Sequence, residues 1–305
     1  MKIVLLGAKG QVGSELQRSV ANIGTMVVTT RNEVNFESLS TVRSLLLQEK
    51  PHIVINAVAY TQVDKAELEP ELAHRVNVDT VEVIANEVKK NNGLLIHYST
   101  DYVFDGKNNK PYYEKDRPNP LNVYGKTKWL SEQVIAQSGC NYLIFRTSWI
   151  HAPQGNNFIN TFLKLMHDRE TIHIVDDQTG TPTSAELIAD ITAQVLRKIV
   201  SSNTIDPSLK GIYHLTACGM TNWYDYACLI VKMAQRLGHS FKGSLIPIRS
   251  SDYKSLAIRP TYSVLNTEKL RTTFNIILPD WELLVRQCLT RILRKEKIGW
   301  ETELL

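Results

Sequence analysis

A tyrosine and a lysine stand four residues apart in Tyr124-Gly125-Lys126-Thr127-Lys128. On a helix, residues four apart share a face, one turn from each other. A cation held beside a phenol favours the phenolate, so Lys128 is expected to draw the Tyr124 pKa down from about 10. Such a phenol exchanges a proton with a carbonyl or alcohol oxygen near neutral pH. Tyr124 and Lys128 are therefore candidate catalytic residues. For so short a pattern a solvated helix face is the plain alternative, and the surrounding elements must decide.

The elements that would position the pair begin at the start of the chain. Lys2 to Leu6 is a short apolar run, read as a buried strand. It enters Gly7-Ala8-Lys9-Gly10-Gln11-Val12-Gly13, and a helical pattern follows from Gln11 to about Asn22. Strand, glycine turn and helix in that order form the context of a dinucleotide fingerprint, here with glycines at three-residue intervals. Gly7 suits the tight turn. Gly10 lets backbone N–H groups approach a pyrophosphate at the helix start, and Gly13 lets helix and strand pack closely. A second strand is expected over Met26 to Thr30. At its end Thr29-Thr30-Arg31 offers a guanidinium and no carboxylate. A carboxylate there binds ribose hydroxyls, whereas Arg31 suits a 2′-phosphate, so NADPH is expected, with NADH the alternative.

Ser38 to Lys50 reads as a helix stopped by Pro51, and Ile53 to Asn56 as strand three. The strand opens into Ala57-Val58-Ala59-Tyr60-Thr61, where small residues let a flat cofactor lie on the backbone. A long helix is expected from Leu72 to Asn91, with Gly93 as its C-cap. Strand four, Leu94 to Tyr98, contains His97, read as a packed or hydrogen-bonded core residue. It ends at Ser99-Thr100-Asp101, which places hydroxyls and a carboxylate beyond a strand's carboxyl end, where open α/β sheets bind ligands. The Tyr124 helix ends near Gly139, and strand five, Tyr142 to Arg146, delivers Thr147-Ser148-Trp149 to the same edge. Strands alternating with helices predict a Rossmann-type, doubly wound parallel α/β sheet over residues 1–149.

Beyond Trp149 the rhythm changes. Helices are expected over Asn156 to His167, Ser184 to Val200, Thr221 to Leu237 and Asp280 to Lys295. Short strands are expected at Ile172 to Val175 and Leu245 to Ile248, and Gly211 to Leu215 reads as a strand returning to the main sheet. Residues 150–305 are thus read mainly as a smaller α/β substrate lobe.

Composition narrows the class. Of 305 residues, 43% are hydrophobic and 22% charged, ordinary for a globular protein. Lys plus Arg less Asp plus Glu is 35 − 31, or +4. No concentrated basic patch of a nucleic-acid binder is seen, and Arg291, Arg294, Lys295 and Lys297 read as the solvated face of a last helix. Cys140, Cys218, Cys228 and Cys288 are scattered, without zinc or disulfide spacing. The apolar opening is too short for a signal peptide and no apolar run approaches the roughly 20 residues of a membrane span, so a cytoplasmic protein is expected.

With these residues in place, the chain resembles the extended short-chain dehydrogenase/reductases, and among them the dTDP-4-dehydrorhamnose reductase family. The matching stretches are residues 7–13, Asn56 to Glu67, Ser99 to Gly106, Tyr124 to Lys128, Arg146 to Trp149 and Asp176 to Thr183. The resemblance implies reduction of the C4 keto group of a dTDP-linked 6-deoxy sugar by NAD(P)H. Gly10, Gln11 and Val12 would line the pyrophosphate. Thr30, Arg31, Asn35 and Phe36 would lie near the adenosine, and Ala57, Ala59, Tyr60 and Thr61 beside the cofactor. Thr100, Tyr124 and Lys128 would form the catalytic set, with Asp101 and Trp149 touching the sugar. Some such enzymes dimerise through carboxylate-bound magnesium. Glu186 matches one ligand and a full set is not found, so a homodimer and magnesium stay open. His151 stands where the family commonly has Tyr, with a substrate contact and a structural role both open.

Rival readings use the same frame. A nucleotide-sugar dehydratase carries an Asp-Glu pair after the Thr, and here Tyr102 follows Asp101. An epimerase needs the same Thr, Tyr and Lys. A non-catalytic, cofactor-binding regulatory subunit would not need them intact.

Overall fold

The computed structural model describes residues 1–200, 207–239 and 241–302, with the side chains of Val200, Pro207 and 295–302 outside that description. Lys295 and Lys297 of the basic cluster fall among those side chains.

Continuous apolar runs make strands that are covered on both faces. Along β1 (Lys2–Leu6), Ile3 and Leu5 enter one core cluster while Val4 and Leu6 enter the other. This is the period of two expected of a strand between two helical layers. The other early elements are α1 (Gln11–Ser19), β2 (Thr25–Thr29), α2 (Leu39–Glu49), β3 (Ile53–Asn56) and α3 (Val63–Leu68). Then follow α4 (Pro70–His74), α5 (Thr80–Lys90), β4 (Leu94–Thr100), α6 (Val123–Ser138) and β5 (Asn141–Thr147).

In the second half β6 (Ile150–His151) precedes α7 (Phe158–Asp168), β7 (Thr171–Val175), β8 (Thr179–Gly180), β9 (Thr183–Ser184) and α8 (Ala185–Val200). They are followed by β10 (Gly211–His214), β11 (Thr221–Asn222), α9 (Trp223–Arg236), β12 (Ser244–Ile248), α10 (Glu268–Phe274) and α11 (Trp281–Thr302).

The main sheet has six parallel strands in the order β10-β5-β4-β3-β1-β2. The chain winds outward in both directions from β1 and β3, so their carboxyl ends mark the switch point where such sheets bind ligands. The returning strand forms as expected, with Gly211 paired to Leu143 and His214 to Arg146. Helix α8 also belongs to the core. Leu187, Ile188 and Ile191 share a cluster with Leu16 and Val20, and Arg18 on α1 pairs with Asp190 at 2.9 Å. Outside the main sheet, β7 and β12 pair in parallel, with α9 packed against them.

Two boundaries differ from expectation. Gly93 is not the left-handed C-cap of α5; Asn92 takes that conformation, at φ 50°. Asn tolerates it, and Gly93 is needed for another reason: a Cβ there would stand 3.0 Å from the His52 carbonyl oxygen. The single helix expected over 72–91 is interrupted by a π-helical turn, Arg75–Asp79. Such turns re-aim side chains. Here Asn77 is turned inward, accepts from the Tyr60 N–H at 2.8 Å and donates to Thr127 Oγ1 at 3.0 Å.

Candidate active site

The glycine turn follows β1. Gly7 takes φ +83°, which favours glycine, and a Cβ on Gly13 would fall 2.1 Å from the Gly7 carbonyl oxygen. Helix α1 therefore starts directly against the turn. Gly10, its N-cap, provides no side-chain cap, so the helix start faces outward with its backbone donors. Ala57 and Val58, after β3, press on Gly7 from the other side of the switch point.

Helix α6 is delivered by Asn122, whose Oδ1 accepts from Gly125 N–H at 2.7 Å and whose Nδ2 donates to Ile258 O at 2.8 Å. Gly125 lets the helix touch the turn after β4, because a Cβ there would stand 2.2 Å from the Tyr102 carbonyl oxygen. Tyr124 and Lys128 consequently project from one face of α6 toward the ends of β4 and β5. Asn122 and Gly125 were not singled out as site residues; their signal is the helix start itself, an Asn cap three residues before a small residue.

The structure brings Gly7, Gly10, Gln11, Val12, Thr30, Arg31, Phe36, Ala57, Ala59, Thr61, Tyr124 and Lys128 around one cavity of about 490 Å³. Gly13 lies behind it as a packing glycine. Two expected cofactor residues face elsewhere. Asn35 Oδ1 accepts from the Glu37 N–H in a local turn, and the Tyr60 hydroxyl donates to Glu69 at 2.6 Å. Glu33, the carboxylate nearest the end of β2, is engaged by the Thr30 N–H at 2.7 Å. Lys9, Asn32, Asn56, Tyr98 and Ile150 also line the cavity without having been proposed. For Asn56 the signal was its place as the last residue of a strand beside the switch point.

Thr100 and Asp101 lie at the buried end of β4. Thr100 Oγ1 donates to Asp101 Oδ1 at 3.0 Å and accepts from Tyr102 N–H at 3.2 Å, and it shares a hydrogen bond with the Tyr124 hydroxyl. Burial pushes the Tyr124 phenol up to about 12, with Asp101 adding to the rise and Thr100 opposing it. Burial also pushes Lys128 down to about 7, against the pull of Glu132. Lys128 is thus not among the groups that move the Tyr124 phenol, and the direction is the reverse of that expected from an ammonium nearby. Desolvation dominates both groups, keeping Tyr124 proton-loaded and bringing Lys128 close to neutrality. Burial raises Asp101 to about 7, opposed by hydrogen bonds from Ser263 and Thr100.

Trp149 does not line the cavity. It sits at φ 45°, a strained conformation for a bulky residue, and stacks on Trp223 with ring centroids 3.6 Å apart. Gly180 makes room for it, since a Cβ there would lie 2.5 Å from the indole. His151 is buried edge-on to Tyr226, and burial pushes it down to about 4. The core role read for His97 holds, yet its ring also touches Lys128, at 3.1 Å. Glu186 is gripped by Arg291 at 2.8 Å, with Arg18 at 3.6 Å. Among the described residues no group of three or more His, Cys, Asp or Glu side chains could hold a metal ion.

The glycine cradle fits a dinucleotide. A Cβ at Gly7 or Gly13 would fill it, and the helix start behind it offers donors to a pyrophosphate. A parallel doubly wound sheet with that cradle and a half-buried Tyr and buried Lys on one cavity defines a nicotinamide-dinucleotide oxidoreductase of the short-chain type.

Comparison with known proteins narrows the class. The family model described as the RmlD substrate binding domain matches residues 1–294. The dTDP-4-dehydrorhamnose reductases of Salmonella typhimurium and Escherichia coli K12 are each 42% identical to the chain, covering 96% of it and 98% of their own length. The crystal structure of dTDP-4-dehydrorhamnose reductase from Bacillus anthracis, in complex with NADP, superposes with a TM-score of 0.85 at 30% identity, covering 96% of this chain and 99% of that one. The chain belongs to the dTDP-4-dehydrorhamnose reductase family.

Proposed function

We propose that this chain reduces the C4 keto group of dTDP-6-deoxy-L-lyxo-4-hexulose (dTDP-4-dehydro-L-rhamnose) to dTDP-L-rhamnose, with NADPH as the preferred reductant. The observation that carries the reading is that Tyr124 and Lys128 open on the same cavity as the glycine turn. A hydride donor held by that turn is therefore within one cavity of a half-buried proton donor.

When bound, the nicotinamide supplies hydride to the sugar's C4. Negative charge then builds on the carbonyl oxygen, and Tyr124, still a phenol at neutral pH, donates its proton there. Thr100, hydrogen-bonded to Tyr124, orients the same oxygen. Lys128 supports Tyr124 from the next turn of α6 and binds the nicotinamide ribose. Proton donation of this kind contributes typically about 10²–10⁴-fold, and positioning supplies much of the rest. Residues Gly10, Gln11 and Val12 would hold the pyrophosphate, and Arg31, which lines the same cavity, would pair with an adenosine 2′-phosphate.

Tyr102 stands where a dehydratase needs its base, and its ring packs edge-on to Tyr124 with centroids 6.0 Å apart. That position holds a phenol engaged with Arg259 and no carboxylate, which favours reduction over loss of water. Residues 150–305 form mainly the substrate lobe, and Asp101 and Trp149 meet the sugar as the lobe closes. A cytoplasmic location is part of the proposal; among the described residues no helix is long and apolar enough to cross a membrane.

The test is cofactor oxidation at 340 nm with the enzymatically prepared 4-keto sugar nucleotide, NADPH and NADH in parallel, for wild type and Arg31→Ala. Stoichiometric oxidation with NADPH favoured, and that preference reduced in Arg31→Ala, is the expected result. No oxidation by a protein that still binds NADPH would overturn the proposal.

A further inference from the structure

One buried polar chain runs from the cofactor cavity into the protein and ends on Lys128. The Val58 backbone N–H donates to Asn56 Oδ1 at 3.1 Å. That contact fixes the amide, because a backbone N–H only donates and an amide oxygen only accepts. Asn56 Nδ2 therefore donates to His97 Nδ1, 3.2 Å away. A nitrogen that accepts carries no proton, so the neutral His97 ring bears its hydrogen on Nε2. Two atoms face that hydrogen: Lys128 Nζ at 3.1 Å and Ser131 Oγ at 3.2 Å. Ser131 gives its own hydrogen to the Lys128 carbonyl oxygen at 2.5 Å, which leaves its lone pairs toward His97.

This arrangement has a consequence for Lys128. An ammonium at 3.1 Å from an N–H would set two donors head to head, whereas an amine presents a lone pair to it. The charged neighbours do not offset this. Among the groups facing the pair, Asn56 comes from β3, Ser99 from β4, Arg146 from β5, and Tyr124, Ser131 and Glu132 from α6. Of these, Glu132 and Arg146 are the charged ones, and they bind each other at 2.9 and 2.7 Å, with Ser99 donating to Glu132 at 2.6 Å. His97 and Lys128 are both buried, at 0% and 2% exposure, so bulk water does not take over either role.

We propose that His97 is a positioning residue: locked by Asn56 in its Nε2–H tautomer, it holds Lys128 as a hydrogen-bond-accepting amine until cofactor occupies the cavity. The inference rests on the reading of Tyr124 and Lys128 as the catalytic pair. Its direction is set by Asn56 and Val58, which line the cofactor cavity themselves, so cofactor binding and the state of Lys128 are linked through one hydrogen-bond chain. The lowered pKa of Lys128 agrees with that state.

Two measurements test it. In cofactor-free protein with ¹⁵N-labelled histidine, long-range ¹H–¹⁵N spectra report each ring's tautomer, and His97→Gln identifies the His97 signals by their loss. The expected result is an Nε2–H ring that stays neutral as pH falls through 6.5. The second is the pH dependence of kcat/KM for NADPH, which reads groups of the enzyme before cofactor binds. Lys128 as an ammonium is the form that bonds the ribose, so the profile falls as pH rises through its pKa. His97→Leu removes the opposing N–H and is expected to move that fall upward by about one pH unit, tenfold in the protonation equilibrium. His97→Gln, whose amide N–H takes the place of Nε2–H, is expected to leave it where it is.

An Nδ1–H or charged ring, or an unmoved fall in His97→Leu, overturns the proposal. If His97→Leu does not fold, the wild-type tautomer together with the His97→Gln profile still decides. If wild type consumes no NADPH with this sugar, the proposed function fails, while the tautomer measurement continues to test His97 on its own.

Discussion

Asp101 provides the most quantitative expectation. Its carboxyl is buried at the end of β4, and burial raises it from 3.8 to about 7 despite hydrogen bonds from Ser263 and Thr100. The difference, 7 − 3.8, is about 3 units, and each unit is 1.36 kcal/mol, so the group couples folding to pH by up to about 4 kcal/mol. The sign follows from the raised pKa. The fold favours the protonated form, so the contribution is fully present below the unfolded value of 3.8 and is lost as pH rises through about 7. Asp101→Asn has the shape of the protonated acid and does not titrate. Urea unfolding of both cofactor-free proteins across a pH series isolates the group, because the other titrations cancel in the difference. Stability of Asp101→Asn relative to wild type is expected to rise by about 3–4 kcal/mol between about pH 4 and pH 8. A difference constant to within about 0.5 kcal/mol, or one that falls with pH, would refute the burial argument.

Two further outcomes come from packing. Glu132→Gln leaves the Arg146 guanidinium, 2% exposed, without its bidentate anion, and is expected to cost about 3–5 kcal/mol in chemical denaturation. A loss near the roughly 0–1 kcal/mol of a surface pair would contradict that assignment. Gly13→Ala places a Cβ 2.1 Å from the Gly7 carbonyl oxygen, where only backbone can yield. NADPH affinity by fluorescence titration is expected to fall at least tenfold, and unchanged binding would show that the turn does not cradle the cofactor.

The frame of the fold was legible because its signals are local. A short run such as Ile3–Leu6 that ends at a glycine turn reads as a covered strand, and a glycine turn followed by an amphipathic helix has one common arrangement in a parallel sheet. Even the return of Gly211–His214 to the sheet was readable, since a short apolar strand after a long helix needs a covered edge. What stayed hidden depends on tertiary contacts. The π-helical turn that aims Asn77 at Tyr60 and Thr127 leaves no mark in a helical pattern. The family resemblance placed Tyr60 beside the cofactor with Ala59 and Thr61, yet its hydroxyl donates to Glu69. The Trp149–Trp223 stack joins residues far apart in the chain, and no spacing rule anticipates it. The charge states of Tyr124 and Lys128 depend on burial, which a five-residue motif does not report. His97 could be recognised as a core residue from its apolar strand, but not as a neighbour of Lys128, which comes from another element.

The central claim, that Tyr124 delivers the proton while the cofactor is oxidised in the same cavity, is tested most directly by a single-turnover experiment. Wild type and Tyr124→Phe, each loaded with one equivalent of NADPH, would be mixed with the 4-keto sugar nucleotide and followed at 340 nm, with circular dichroism and NADPH binding measured alongside. The expected result is full oxidation by wild type and a rate lowered about 10²–10⁴-fold in Tyr124→Phe with fold and cofactor binding intact. Equal rates for the two proteins would remove Tyr124 from the chemistry and contradict the account.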